Sequence, residues 1–396
     1  MKQEFQKVID RKNTRAVKWD LVQSLYGSDD VLPMWVADMD FQVPSAVREK
    51  LTEKAQHGIF GYTFTDTPLN KNIRHWIKNE HDWDISESWI IYSPGVVSTL
   101  YMAVQALTEK NDQILIQTPV YPPFYKVIKD HDRQIVENPL TLKDNEYKID
   151  FDDFEQKLKN GVKAFILCNP HNPIGRVWTK DELQQMIDLC KKYNVFIFSD
   201  EIHADLVFEP HRHIPIASLD EEINDQTITL MSPTKTFNLA GLQVSYAVIS
   251  NKELRDAVQG MLHKQGLNMI NTMGVAAIDA AYSGGKEWLT HLKEHLEENI
   301  DYVEEQFKDR ADVTFIRPEG TYLLWLDFRS LGLNHDNLKK FIQEKAKVGL
   351  NDGMSFGEAG SGFLRMNVAC PLETVKEGVQ RIIHALDNED ITAYQK

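Results

Sequence analysis

Lys235 lies in the run Ser232-Pro233-Thr234-Lys235-Thr236-Phe237-Asn238, directly after the apolar residues 226–231. An amine on the loop just past a buried strand, flanked by small hydroxyl residues, is placed to form a covalent imine with a carbonyl compound. A single lysine specifies little. Earlier in the chain, the apolar run 195–199 leads straight into Asp200 and Glu201, and the run 164–168 leads into Asn169-Pro170-His171-Asn172. Three strand ends therefore deliver an amide, a carboxylate and an amine, in that order.

Those three groups are the ones pyridoxal phosphate chemistry needs. A lysine holds the aldehyde, a carboxylate keeps the pyridine nitrogen protonated so that the ring accepts electrons, and an amide bonds the ring hydroxyl. A phosphate socket is expected at Ser93-Pro94-Gly95-Val96-Val97, where the strand-like residues 90–93 turn into a helical pattern over 96–107. Unpaired N–H groups at that helix start would meet the phosphate oxygens, helped by the hydroxyls of Ser93 and Ser232.

The rest of the chain must position these groups. Its 396 residues suffice for a large core and favour two lobes. With 44 basic against 59 acidic residues the net charge is -15. No basic surplus exists to displace counterions from a nucleic acid, so the composition speaks against such a partner. Cys168, Cys190 and Cys370 are widely spread and odd in number, which suggests a reducing compartment, no disulfide framework and no metal spacing. The first residues carry no apolar signal region and no run is long enough to span a bilayer, so the expected location is cytoplasmic, without membrane association.

From residue 45 to 285 short apolar runs alternate with helical patterns, which predicts an α/β domain with a mostly parallel sheet. One of those helices covers 179–193, with Thr179 and Glu182 forming a capping box. Residues 1–44 read as an irregular arm and a segment joining the smaller domain. Residues 286–396 read as an interdomain helix over 286–310 and a small C-terminal domain, with a strand at 320–327 and a closing helix at 373–387.

Ordered motifs extend along nearly the whole chain. They include Lys18-Trp19-Asp20, Leu32-Pro33-Met34-Trp35-Val36-Ala37-Asp38-Met39-Asp40-Phe41, His57-Gly58-Ile59-Phe60-Gly61-Tyr62, Ser199-Asp200-Glu201-Ile202-His203-Ala204-Asp205-Leu206 and Phe363-Leu364-Arg365-Met366-Asn367. The sequence resembles the fold-type I pyridoxal-phosphate enzymes of the aspartate aminotransferase superfamily. More narrowly, it is similar to their cystathionine beta-lyase or cysteine-S-conjugate beta-lyase branch, the MalY- and PatB-like proteins. The resemblance implies the fold-type I transferase fold, with a large domain built on a mostly parallel sheet and a smaller α+β domain.

It also implies roles. Lys235 would carry the cofactor, Asp200 would face its pyridine nitrogen, Asn172 its hydroxyl, and Tyr121 would stack on its ring. Ser93, Gly95, Val96, Val97, His203 and Ser232 would complete the cofactor site. Arg365 would clamp the substrate α-carboxylate beside Asn172 and Trp35, and Tyr62 would cross a homodimer interface to the neighbouring phosphate. Two positions depart from the aminotransferase pattern: His203 stands where a tyrosine is usual, and Gln243 where a phosphate-binding arginine is usual. Taken alone, His203 could equally satisfy a backbone carbonyl, Tyr62 and Tyr121 could be core aromatics, and Trp19 and Trp35 could line an entrance or pack the arm.

The leading functional reading is β-elimination from L-cystathionine or another L-cysteine S-conjugate, giving a thiol, pyruvate and ammonia. A class I/II aminotransferase would use the same first steps. A regulatory binding protein keeping only the fold is disfavoured by the intact Lys235, Asp200, Asn172 and Arg365.

Overall fold

The computed structural model describes residues 2–395. Its centre is a seven-stranded sheet in the spatial order Ile90–Ser93, Ser245–Val248, Thr227–Met231, Phe196–Asp200, Val162–Cys168, Gln113–Thr118, Gln134–Pro139. Only Ser245–Val248 runs against the others. Helices cover both faces, so the inner strands bury residues of both parities: Phe165, Ile166 and Leu167 are as buried as Ile197 and Phe198. That is why these strands read as continuous apolar runs rather than alternating ones. Register then aligns their carboxyl ends, Cys168 beside Asp200 and Asp200 beside Leu230.

The capping box forms as the sequence implies: Thr179 Oγ1 accepts from the Glu182 amide at 3.2 Å and Glu182 Oε2 accepts from the Thr179 amide at 2.8 Å, opening the helix Lys180–Tyr193. The helix Lys286–Phe307 leads to a four-stranded antiparallel sheet ordered Thr314–Ile316, Leu323–Asp327, Phe363–Asn367, Asn351–Asp352, and Leu372–Asn388 is the long helix after it. The strand expected from 320 begins only at Leu323, because buried Thr321 adopts a left-handed φ of 71°. Among the described residues no helix is long and apolar enough to cross a membrane.

The N-terminal arm is less irregular than its composition suggests. Asp20 accepts from the amides of Asn13 and Ala16, and the short helical turns Val17–Asp20 and Val22–Tyr26 follow, the second ended by Gly27 at φ 75°. Beyond them Leu32–Pro33 pairs in parallel with Val348–Gly349, which joins this segment to the C-terminal part of the chain. A buried ion pair closes the join: Lys18 Nζ lies 2.7 Å from Asp40 Oδ2, with the two side chains 1% and 4% exposed. The Trp19 indole donates to the other oxygen, Oδ1, at 2.9 Å.

Burial alone would raise the Asp40 carboxyl, but the Lys18 ammonium and the hydrogen bonds from Lys18, Trp19 and Arg11 together outweigh it and hold the group below the usual carboxylate range. A carboxylate lowered in this way stabilises the fold above the ordinary carboxylate pKa. That contribution disappears as the pH falls through its own lower value. Asp40→Asn should therefore cost about 3–5 kcal/mol of unfolding free energy at neutral pH, since it strands the Lys18 charge. Urea unfolding would measure this, and the difference between the two proteins should shrink in acid.

Candidate active site

At the carboxyl ends of the parallel strands, between the large sheet, the small sheet and the N-terminal segment, lies a cavity of about 930 Å³. That is where ligands bind in open α/β sheets. Lys235, Asp200, Asn172, Tyr121, His203, Arg365 and Trp35 all face it, together with Gly95, Val96 and Val97.

Asp200 is the last residue of its strand and accepts from the Ile202 amide at 3.2 Å. Burial pushes its carboxyl up to about 7, and the neighbouring Glu201 charge adds to the rise. Lys235 sits in the single helical turn Pro233–Thr236, and Ser232 caps that turn by accepting from the Thr234 amide at 3.1 Å. Its amine donates to the Ala37 carbonyl at 2.6 Å. Burial first, then the Arg365 charge, brings its pKa down to about 8. At pH 7 about a tenth of an amine with this pKa is unprotonated, against well under a thousandth of an ordinary lysine, and a nucleophile or base needs that fraction.

Arg365 is 4% exposed. It donates through Nη1 to Asn172 Oδ1 at 2.9 Å and through Nη2 to the Trp35 carbonyl at 3.1 Å, while its plane lies 4.9 Å from the Phe356 ring centre. Its Nε has no partner, and burial lowers its pKa to about 10. A buried guanidinium held by neutral acceptors alone is costly, so the site is built for an incoming carboxylate.

The donor set fits pyridoxal phosphate. Gly95 precedes the helix Val96–Leu107, whose first turn has no side-chain cap and opens on the cavity, leaving N–H groups for an anion. Asp200 and Lys235 offer the carboxylate and amine. His203 Nδ1 is buried without a partner, and burial together with the Lys235 and Arg365 charges drives this imidazole down to about 3. It is therefore neutral, with Tyr322 against its ring. Tyr121 stands at the start of the helix Pro122–Asp130, without a side-chain capping bond, and lines the cavity.

Two of the expected cofactor residues stand off the cavity wall. Ser93 and Ser232 do not line the cavity, because other contacts use their hydroxyls. Ser93 Oγ bonds Ser245 Oγ at 2.6 Å and also Thr99, and Ser232 Oγ donates to the Val244 carbonyl at 2.7 Å. Ser98 and Thr234, one on each of the same two turns, face the cavity instead, as does Gln243. Tyr62 is also absent from the cavity of its own chain. It is 98% exposed on the loop between Ser45–His57 and Thr67–His81, so it is not a core aromatic either.

Trp19 packs the arm through Asp40, whereas Trp35 faces the cavity. Sequence reasoning missed Ile202, Asn238, Asp38 and Arg11 as lining residues. Ile202 follows Asp200 by two positions and Asp38 lies inside a recognised motif, so both had a signal. Arg11 had none, since its neighbours in space come from residues 38–40.

The family model "Aminotransferase class I and II" matches residues 29–382. The chain is 44% identical to cystathionine beta-lyase PatB of Bacillus subtilis (strain 168), covering 96% of this chain and 99% of that protein. It is 33% identical to Protein MalY of Escherichia coli (strain K12), with 97% and 98% covered. The crystal structure of the PLP-bound C-S lyase from Staphylococcus hominis superposes with a TM-score of 0.90 at 32% identity, over 96% of this chain and 97% of that one.

The lowered pKa of Lys235 generates a prediction. Mixing the protein with pyridoxal phosphate, reducing with borohydride and mapping peptides should place the adduct on Lys235. In the cofactor-free protein, modification by an amine-selective reagent should rise through about pH 8, well below an ordinary lysine. An adduct on a different lysine would refute the assignment.

Proposed function

The chain belongs to the aminotransferase class I and II family, and from that premise we propose that it is a pyridoxal-phosphate-dependent carbon–sulfur β-lyase acting on L-cystathionine or a related L-cysteine S-conjugate. Its products are a thiol, pyruvate and ammonia. The observation that carries the reading is the full-length kinship with a cystathionine beta-lyase. The geometry of the site supplies the means, although the same side chains would also serve transamination.

Bound in this cavity, pyridoxal phosphate supplies a protonated ring that accepts the electron pair of the Cα–H bond. The protein's own groups do the rest. Arg365 binds the α-carboxylate with its planar fork, which fixes the substrate Cα near Lys235. The Lys235 amine would take the Cα proton, a base role for which its burial beside Arg365, which favours the uncharged form, prepares it. With the cofactor bound, Asp200 would hold the ring nitrogen protonated, Asn172 would bond the ring hydroxyl and Tyr121 would pack beside the ring. The Cβ–S bond then breaks with its electron pair leaving on sulfur. A thiolate is a good leaving group at neutral pH, so no acid group is required on the sulfur side. The released enamine takes up water and gives pyruvate and ammonia.

The active form in this reading is a homodimer. Ile59, Phe60, Tyr62 and Phe64 are 70%, 60%, 98% and 79% exposed, an apolar loop that a second copy would cover. From there Tyr62 would reach the neighbouring phosphate and complete a shared site.

Two measurements test this. A cysteine conjugate should release thiol and pyruvate in equal amounts over many turnovers without any 2-oxo acid. Conversion only when an acceptor is present, with no thiol, would select the aminotransferase reading. Subunits carrying Tyr62→Ala mixed with subunits carrying Lys235→Ala should recover about a quarter of native activity, since half the dimers are hybrid and one of their two sites is intact. No recovery after demonstrated exchange would overturn the shared site.

A further inference from the structure

The charged residues lining the cavity are Arg11, Asp38, Asp40, Asp200, Lys235 and Arg365. The proposed chemistry uses Asp200, Lys235 and Arg365, and Asp40 is neutralised by buried Lys18. Arg11 and Asp38 remain. Their side chains are 23% and 20% exposed and form a two-point pair, Nη1 to Oδ1 at 3.1 Å and Nη2 to Oδ2 at 3.0 Å. Arg11 is held in place without Asp38, because Nη1 also reaches Asp40 Oδ1 at 2.7 Å and the Met39 carbonyl at 3.1 Å. The arm has its own clasp in Lys18, Trp19 and Asp40, so the Arg11–Asp38 pair is not needed to close it.

The position of the pair suits a substrate's far end. Arg365 is anchored to the Trp35 carbonyl and Lys235 to that of Ala37, and Asp38 follows in the same segment. Three residues of chain span at most about 10 Å, a reach comparable to the two head groups of a thioether that joins two amino acids. Apolar Ile9, Ala16 and Val17 border the same mouth.

Resting on the lyase reading above, we infer that Arg11 and Asp38 form a distal subsite that reads the leaving thiol, Arg11 binding its carboxylate and Asp38 its ammonium. Both contacts of the pair, Nη1–Oδ1 and Nη2–Oδ2, open to admit the zwitterion, and Arg11 keeps Nη1 on Asp40 and Met39. The two charges of the pair are then exchanged for four in alternating order. A conjugate with an uncharged leaving group leaves the pair closed and gains nothing from it.

The test uses the cofactor-loaded enzyme and four conjugates: L-cystathionine, S-(3-carboxypropyl)-L-cysteine, S-(3-aminopropyl)-L-cysteine and S-propyl-L-cysteine. Thiol release gives kcat/KM for each. Removing either distal charge should lower it by about tenfold to a hundredfold in the unaltered protein, chiefly through KM. In Arg11→Met the penalty for losing the distal carboxylate should shrink to about threefold or less, and in Asp38→Asn the penalty for losing the distal amine should do the same. Arg11→Lys should restore part of the carboxylate discrimination.

A variant that only weakened the arm would slow all four conjugates alike and leave the ratios unchanged, which would overturn the subsite. Equal rates for L-cystathionine and S-propyl-L-cysteine in the unaltered protein would overturn it without any variant. If none of the four releases thiol, the lyase reading itself fails, and the subsite falls with it.

Discussion

The active-site geometry depends on one stretch of backbone, residues 35–41, whose carbonyls accept from side chains near both the seven-stranded and the four-stranded sheet. Trp35 accepts from Arg365, Val36 and Asp38 from Asn367, Ala37 from Lys235 and Tyr322, and Met39 and Phe41 from Asn238. A buried carbonyl must find a donor, and here the donors include site residues themselves. The amine of the large domain and the guanidinium beside the small sheet are therefore measured against the same few peptide units. Side-chain identity at Val36 or Ala37 matters little to this arrangement, but the path of the chain matters greatly. The Lys18–Asp40 pair maintains that path from outside.

Burial near the cavity acts on three charged groups at once. The Asp200 carboxyl is pushed up to about 7, the Lys235 amine down to about 8 and the Arg365 guanidinium down to about 10. Each shift weakens the charged form of its group. A ligand carrying a ring cation for Asp200, an aldehyde for Lys235 and a carboxylate for Arg365 relieves all three, so ligand binding and folding stability are linked. Behind the site, Glu201 pairs with His213 at 2.7 Å, and Asp205 with His81, Trp76 and Thr236. These contacts brace the strand end of Asp200 and the lysine turn.

The parallel strands were legible because burial on both faces leaves unbroken apolar runs, and the groups at their ends were legible because a sheet aligns those ends. The hydroxyls were not. Ser93 and Ser232 stand next to a glycine turn and a lysine turn, where either could meet a phosphate, and the partners their hydroxyls take here, Ser245 and Val244, are distant in sequence. Arg11 carried no local signal for the same reason. Tyr62 shows a further limit: its motif was readable, but an exposed side chain on one chain does not reveal what covers it.

Cys168, Cys190 and Cys370 are free and buried. Cys168 borders the cavity, yet its sulfur is occupied by the Pro170 carbonyl and the Asn172 amide, and burial beside Asp200 raises its thiol far above the usual range. Only a thiolate exchanges readily with disulfides. Where an external oxidant such as dioxygen turns a liberated thiol into its disulfide, a thiolate cysteine in the cavity wall would exchange with that disulfide and be capped. Keeping sulfur in this wall as a small, un-ionised filler withholds a partner for that exchange.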